Sequence, residues 1–211
     1  EDDQKLDSLL RNQLQANGFH EHYSNSLLHE KDTLHFSGGE AIELKNPFSQ
    51  DMAFIRNSII PGLLMAASYN EKRQEKGFKL FEIGAIHNQS KKSATGSKEK
   101  FHLGLLWYGE TQSHWRNYED RDIYRCKGEI VQLLESVGLS NISYKVGTEK
   151  GFETSLKIYS GKTQIGKFGI PDSKVLKQYD LKIKPMVCDL SLQNLRELWQ
   201  NRKMAYKPPT A

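Results

Sequence analysis

Cysteine is nearly absent from this 211-residue chain: Cys126 and Cys188 stand alone, without C-x-x-C spacing or paired histidines beside them. That excludes a disulfide framework and a zinc ribbon, and it predicts two reduced thiols packed in the interior. Long apolar runs are missing too. The longest, residues 59–67, contains Pro61 and Gly62 and falls far short of the roughly 18 residues that a membrane-spanning helix needs. The start, Glu1-Asp2-Asp3, is acidic, the opposite of a secretory or transit segment, and points to the cytoplasm. With 16 Gly, 6 Pro and 37% hydrophobic residues, the composition is that of a globular protein rather than a collagen-like or disordered one.

Several chemical signatures are missing as well. Neither the P-loop pattern G-x-x-x-x-G-K-[ST] nor G-x-G-x-x-G occurs, and Gly166-x-x-Gly169 fits a bend within a strand better than a phosphate cradle. No G-x-S-x-G elbow is present, so hydrolase readings have no support. His20-Glu21-His22 is the one close histidine pair and lacks a third ligand at metal spacing. Trp107, Trp115 and Trp199 suit a core better than a base-stacking platform.

Charge is present but uneven. The chain has 30 Lys plus Arg against 26 Asp plus Glu, yet residues 1–40 hold eight acids and three bases. Basic residues gather at Lys91, Lys92, Lys98 and Lys100 and in the tail at Arg202, Lys203 and Lys207. Such clusters permit contact with RNA phosphates, while lysines on a Ser/Gly-rich loop also suit a solvated hairpin tip.

Leu6, Leu9, Leu10 and Leu14 recur at helical spacing before Gly18, which predicts a helix over 4–17. Short strands are expected at 23–28 and 41–44, a turn at Asn46-Pro47-Phe48-Ser49, extended chain at 51–55, and a helix from Pro61 to about residue 75. Two β-rich runs, 78–87 and 101–108, flank the 13-residue lysine segment 88–100 as an antiparallel hairpin with a long tip. A helix at 121–137, strands at 143–146, 155–159 and 164–168, a short helix at 172–178, a strand at 185–190 and a helix at 192–200 complete the reading. Hairpins interrupted by helices, without βαβ alternation, predict an α+β fold with a mainly antiparallel sheet and helices covering one face. Residues 1–200 read as one domain, followed by a loose basic tail over 201–211.

One series of residues carries a resemblance. It runs Asn46-Pro47-Phe48-Ser49, then Met52 to Arg56-Asn57-Ser58-Ile59-Ile60-Pro61-Gly62-Leu63-Leu64, then Asn70, then Phe81-Glu82-Ile83-Gly84. In order and spacing it resembles the beta subunit of bacterial phenylalanyl-tRNA synthetase, with Asn57 where the family has threonine. The resemblance implies a core-like domain of that ligase with the class II aminoacyl-tRNA synthetase fold. It further implies an alpha-subunit partner, tRNA(Phe) bound through the holoenzyme, and an (αβ)2 assembly. Class II enzymes supply arginines from the motif 2 strand and from a late G-x-G-x-x-x-R motif against the charge that develops on the α-phosphate. Here residues 78–87 carry Lys79 and no arginine, and Arg196 follows no glycine pair.

The expectation is therefore an architectural domain without catalytic, ATP-binding or metal-binding residues of its own, ATP and magnesium acting in the holoenzyme. Leu6, Leu9 and Leu10 are candidates for the subunit interface, with their own core as the competing use. Arg56, Ser58, Pro61, Gly62 and Asn70 are expected to maintain the fold, Arg56 by pairing with a buried carboxylate. The alternative is a stand-alone RNA-binding module that uses the four hairpin lysines.

Overall fold

The computed structural model describes residues 2–37, 39–114, 117–120 and 122–201. Trp115 and the basic tail beyond Asn201 lie outside the described residues. The chain opens with helix α1 (Asp2–Ala16), strand β1 (His20–Glu21) and strand β2 (Leu27–Leu28), then a 3-10 turn at Glu30–Thr33 and strand β3 (Ile42–Glu43). A second 3-10 turn, Gln50–Met52, leads to β4 (Phe54–Ile55), α2 (Ile60–Glu71), β5 (Gly77–Gln89), β6 (Ser97–His114), β7 (Asn117–Asp120) and α3 (Ile123–Ser136). Strands β8 (Ile142–Gly147), β9 (Phe152–Ser160) and β10 (Thr163–Pro171), helix α4 (Ser173–Gln178), strand β11 (Met186–Ser191) and helix α5 (Leu192–Gln200) complete it.

The main sheet runs β1-β5-β6-β11-β10-β9-β8, with β7 continuing from β6. Every pairing in it is antiparallel except β1 with β5. β2, β4 and β3 form a separate small antiparallel sheet. Helix starts follow local chemistry: Pro61 occupies the first turn of α2, where a missing N–H costs nothing. The side chains of Asp122, Asp172 and Ser191 accept backbone N–H bonds at the starts of α3, α4 and α5.

Alternation along the strands divides the core in two. Phe81, Ile83, Leu103, Leu105 and Trp107 face one side, where Leu6, Leu10 and Leu14 of α1, Ile130 and Leu134 of α3, and Leu195 of α5 cover them. Leu80, Leu106, Tyr108 and Val187 face the other, beneath Ile60, Leu63 and Leu64 of α2 and Val175 and Leu176 of α4. Helices therefore cover both faces, not one as the sequence pattern implied.

The strand expected over 23–28 shrinks to its last two residues as β2, with β1 placed before it, and of the extended chain expected over 51–55 only β4 is strand, Gln50–Met52 being a 3-10 turn. The β5–β6 hairpin pairs from Gly77 with Gly109 to Gln89 with Ser97, so its tip shrinks to residues 90–96. Leu6 and Leu10 are fully buried in the chain's own core and Leu9 is half-buried against it. The core reading of those two leucines displaces the interface reading. Cys126 and Cys188 are both free and buried. Burial, together with the nearby Asp189 charge, pushes the Cys188 thiol well above its ordinary value, which suits an inert packed thiol.

Candidate functional site

Four residues of the Asn46-to-Gly84 series, Arg56, Gly62, Glu82 and Gly84, converge on one point of the sheet. Arg56 follows β4, and its Nη1 donates to Glu82 Oε1 at 2.5 Å and to Ser24 Oγ at 3.0 Å, while Nε donates to the Ala85 carbonyl at 2.7 Å. Ser24 Oγ in turn donates to Glu82 Oε2 at 2.7 Å. Both charged side chains are buried, 6% and 2% exposed for Arg56 and Glu82. A buried ion pair is tolerable only with such a complete set of partners, because each charge has left water.

The neighbouring glycines are cut to this arrangement. A Cβ on Gly84 would collide with the Arg56 guanidinium, and one on Gly62, in the first turn of α2, would collide with the Ser24 hydroxyl. Ser58 Oγ accepts from the Ile60 N–H at the start of α2, and Asn70 Nδ2 donates to the Ala66 carbonyl near its end. Phe81 lies on the opposite face, in the core beneath α1. Asn46 and Pro47 are exposed in the loop before β4 and do not join the cluster.

Next to the cluster, on the α2 face of the sheet, opens a polar cleft of about 540 Å³. His102 on β6 and Asp189 on β11 line it, with Nδ1 and Oδ1 2.5 Å apart. Burial alone would raise the Asp189 carboxyl. The charge and hydrogen bond of His102, aided by Lys167, outweigh that and hold it below the usual carboxylate range. Lys167 of β10 donates to the Phe36 carbonyl, which anchors the segment after the first 3-10 turn over the cleft. Sequence reasoning missed His102, Asp189 and Lys167. They come from three strands, His102 and Asp189 being 87 residues apart, and no local pattern joins them.

Positive charge enters this cleft sparingly. Among the described residues, no arginine lines it. Lys79, the cation of the motif 2-like strand, points to the other face, where Nζ meets Glu129 Oε2 at 2.8 Å and lies 5.0 Å from the centre of the Phe19 ring. Arg196 of α5 pairs with Asp7 of α1 at 2.7 Å, on that same side. Of the four hairpin lysines, Lys91 and Lys92 are exposed at the tip, Lys98 is exposed on β6, and Lys100 lines the cleft. Among the described residues, no three His, Cys, Asp or Glu side chains stand together as metal ligands. No described helix is long and apolar enough to cross a membrane.

The family model described as the phenylalanyl tRNA synthetase beta chain CLM domain matches residues 1–192. The chain belongs to that family. Phenylalanine–tRNA ligase beta subunits from Buchnera aphidicola and Bacteroides thetaiotaomicron are each 30% identical to it, over 91% and 96% of this chain. The chain spans about a quarter of the length of those two relatives, 25% and 26%. A pyrrolysyl-tRNA synthetase structure from Desulfitobacterium hafniense superposes with a TM-score of 0.72 at 14% identity, covering 96% of this chain and 73% of that one. The fold of this family member is thus that of a class II synthetase core: α+β, with a mainly antiparallel sheet between helices.

Proposed function

We infer that this chain is the noncatalytic core-like domain of a phenylalanine–tRNA ligase beta subunit, one domain across residues 1–200. It supports a catalytic alpha subunit in the ATP-dependent attachment of phenylalanine to tRNA(Phe) and helps to build an (αβ)2 assembly in the cytoplasm. Membership of the family supports the placement in a beta subunit. The observation that carries the noncatalytic reading is the state of the arginines. Adenylation needs fixed positive charge where negative charge develops on the α-phosphate. Here Arg56 is neutralised by Glu82, Arg196 by Asp7, and among the described residues no arginine lines the cleft.

With Leu6 and Leu10 committed to the chain's own core, Leu9 keeps partial exposure for a subunit contact. The RNA-binding alternative weakens for a similar reason. Lys100 belongs to the cleft, which leaves Lys91, Lys92 and Lys98 to the hairpin surface.

The test is size-exclusion chromatography with light scattering of the chain against the alpha subunit from the same source, with ATP–pyrophosphate exchange assayed across the fractions. A stable complex with exchange confined to fractions containing alpha is expected. Exchange by this chain alone would overturn the noncatalytic reading.

A further inference from the structure

Beside the Arg56–Glu82 pair, one buried acceptor has no donor. Asn57 is 2% exposed, and its Nδ2 donates to the carbonyls of Thr33 and Gly39 at 3.0 and 3.3 Å. Those two bonds fix the amide, because the reversed orientation would press an oxygen against two carbonyl oxygens. Oδ1 therefore turns away from both, has no hydrogen-bond partner, and belongs to a side chain that lines the polar cleft. A buried oxygen in that state calls for a hydroxyl or amino donor.

The cleft's charges call for an anion. Glu149 is answered by Lys157 at 3.6 Å and Asp189 chiefly by His102, with Lys167 nearby. Lys100 has no acidic partner among the described ion pairs, and Lys167, with its one bond to a backbone carbonyl, keeps donors to spare. Ser191 and Asn194, at the N-terminal end of the nine-residue α5, also line the cleft, so the positive end of that helix dipole adds to the two lysines. A volume of about 540 Å³ exceeds what an inorganic ion fills and suits a small organic molecule.

We propose that this cleft binds a small phosphate monoester bearing hydroxyl groups, of the sugar-phosphate class. Lys100, Lys167 and the start of α5 hold the phosphate, and a ligand hydroxyl donates to Asn57 Oδ1. Inorganic phosphate would leave most of a cleft of about 540 Å³ unfilled, and a neutral polyol would leave the lysines unanswered. The site is independent of the subunit role, since its readout is binding and not aminoacylation.

The probe is ribose 5-phosphate, titrated calorimetrically into the intact protein that carries this chain and soaked into its crystals. One site per chain is expected, with density touching Asn57 Oδ1 and Lys100, and with ribose and inorganic phosphate each binding more weakly. Lys100→Gln, a half-exposed strand position that keeps the fold, should weaken binding roughly tenfold, whereas Lys91→Gln at the hairpin tip should leave it unchanged. An ordered water on Asn57 with no binding at millimolar probe would overturn the proposal, as would equal affinity in Lys100→Gln. Competition by ATP at this same cleft would assign it to a nucleotide and overturn the sugar-phosphate class.

Discussion

Glu82 has two carboxylate oxygens and two partners, Arg56 on one and Ser24 on the other, and almost no water. Replacing one member of such a pair strands the other charge in the interior. Glu82→Gln is therefore expected to cost about 3–5 kcal/mol in urea denaturation, and Arg56→Met combined with Glu82→Leu to recover most of that loss. If the double variant were as unstable as the sum of two singles, the pair would be acting independently and this account would fail. Asp189 adds a dependence on acid. Its carboxyl is held below the ordinary value of about 3.9 in the folded chain, so its contribution is full above that value and fades as pH falls through the lower folded value. Asp189→Asn should flatten the stability profile below about pH 4, relative to the parent chain, when unfolding is followed across a pH series.

At the scale of elements, α1 shows how much the sequence can disclose. Leucines at helical spacing marked its buried face, and Leu6, Leu10 and Leu14 are at most 1% exposed. Leu10→Ala should cost about 2–5 kcal/mol by thermal or chemical unfolding, because the cavity would open beneath three helices and the sheet. A loss below 0.5 kcal/mol would mean that α1 is not part of the core. Helices α3 and α5 were equally legible, since apolar periodicity and a capping residue accompany each, while α2 was legible through Pro61 in its first turn.

Of the two-residue strands, β3 lies inside the strand expected at 41–44 and β4 inside the extended chain expected at 51–55, whereas the strand expected over 23–28 shrinks to β2 and β1 had no counterpart. Fragments that short carry no alternation, and long-range pairing alone defines them. The hairpin was legible, but its length was not. The polar end of β5, His87-Asn88-Gln89, and the lysine-bearing start of β6 read by composition as loop where backbone pairing continues. The residue series at Arg56, Gly62, Glu82 and Gly84 was visible through a resemblance, whereas its physical meaning, one guanidinium resting on one glycine, needed the third dimension.

For the whole molecule, the sheet is the shared wall of two cores. Phe81, Leu103 and Leu105 serve one and Leu80 and Leu106 the other, from alternating positions of the same strands. Neither core can dissolve without removing support from the backbone of the other. Urea transitions followed by tryptophan fluorescence, with Trp107 and Trp199 on the α1 side, and by far-ultraviolet circular dichroism should therefore coincide. Separate midpoints would show that the faces melt independently.

The buried Arg56–Glu82 pair also constrains how this chain can change over generations. Losing either partner alone removes roughly 3–5 kcal/mol from a total that for ordinary domains is about 5–15 kcal/mol. A route from this pair to an apolar pair therefore crosses a poorly folding intermediate, even though both ends of the route are stable. The charges are held in place less by what they do than by the depth of the valley that surrounds them.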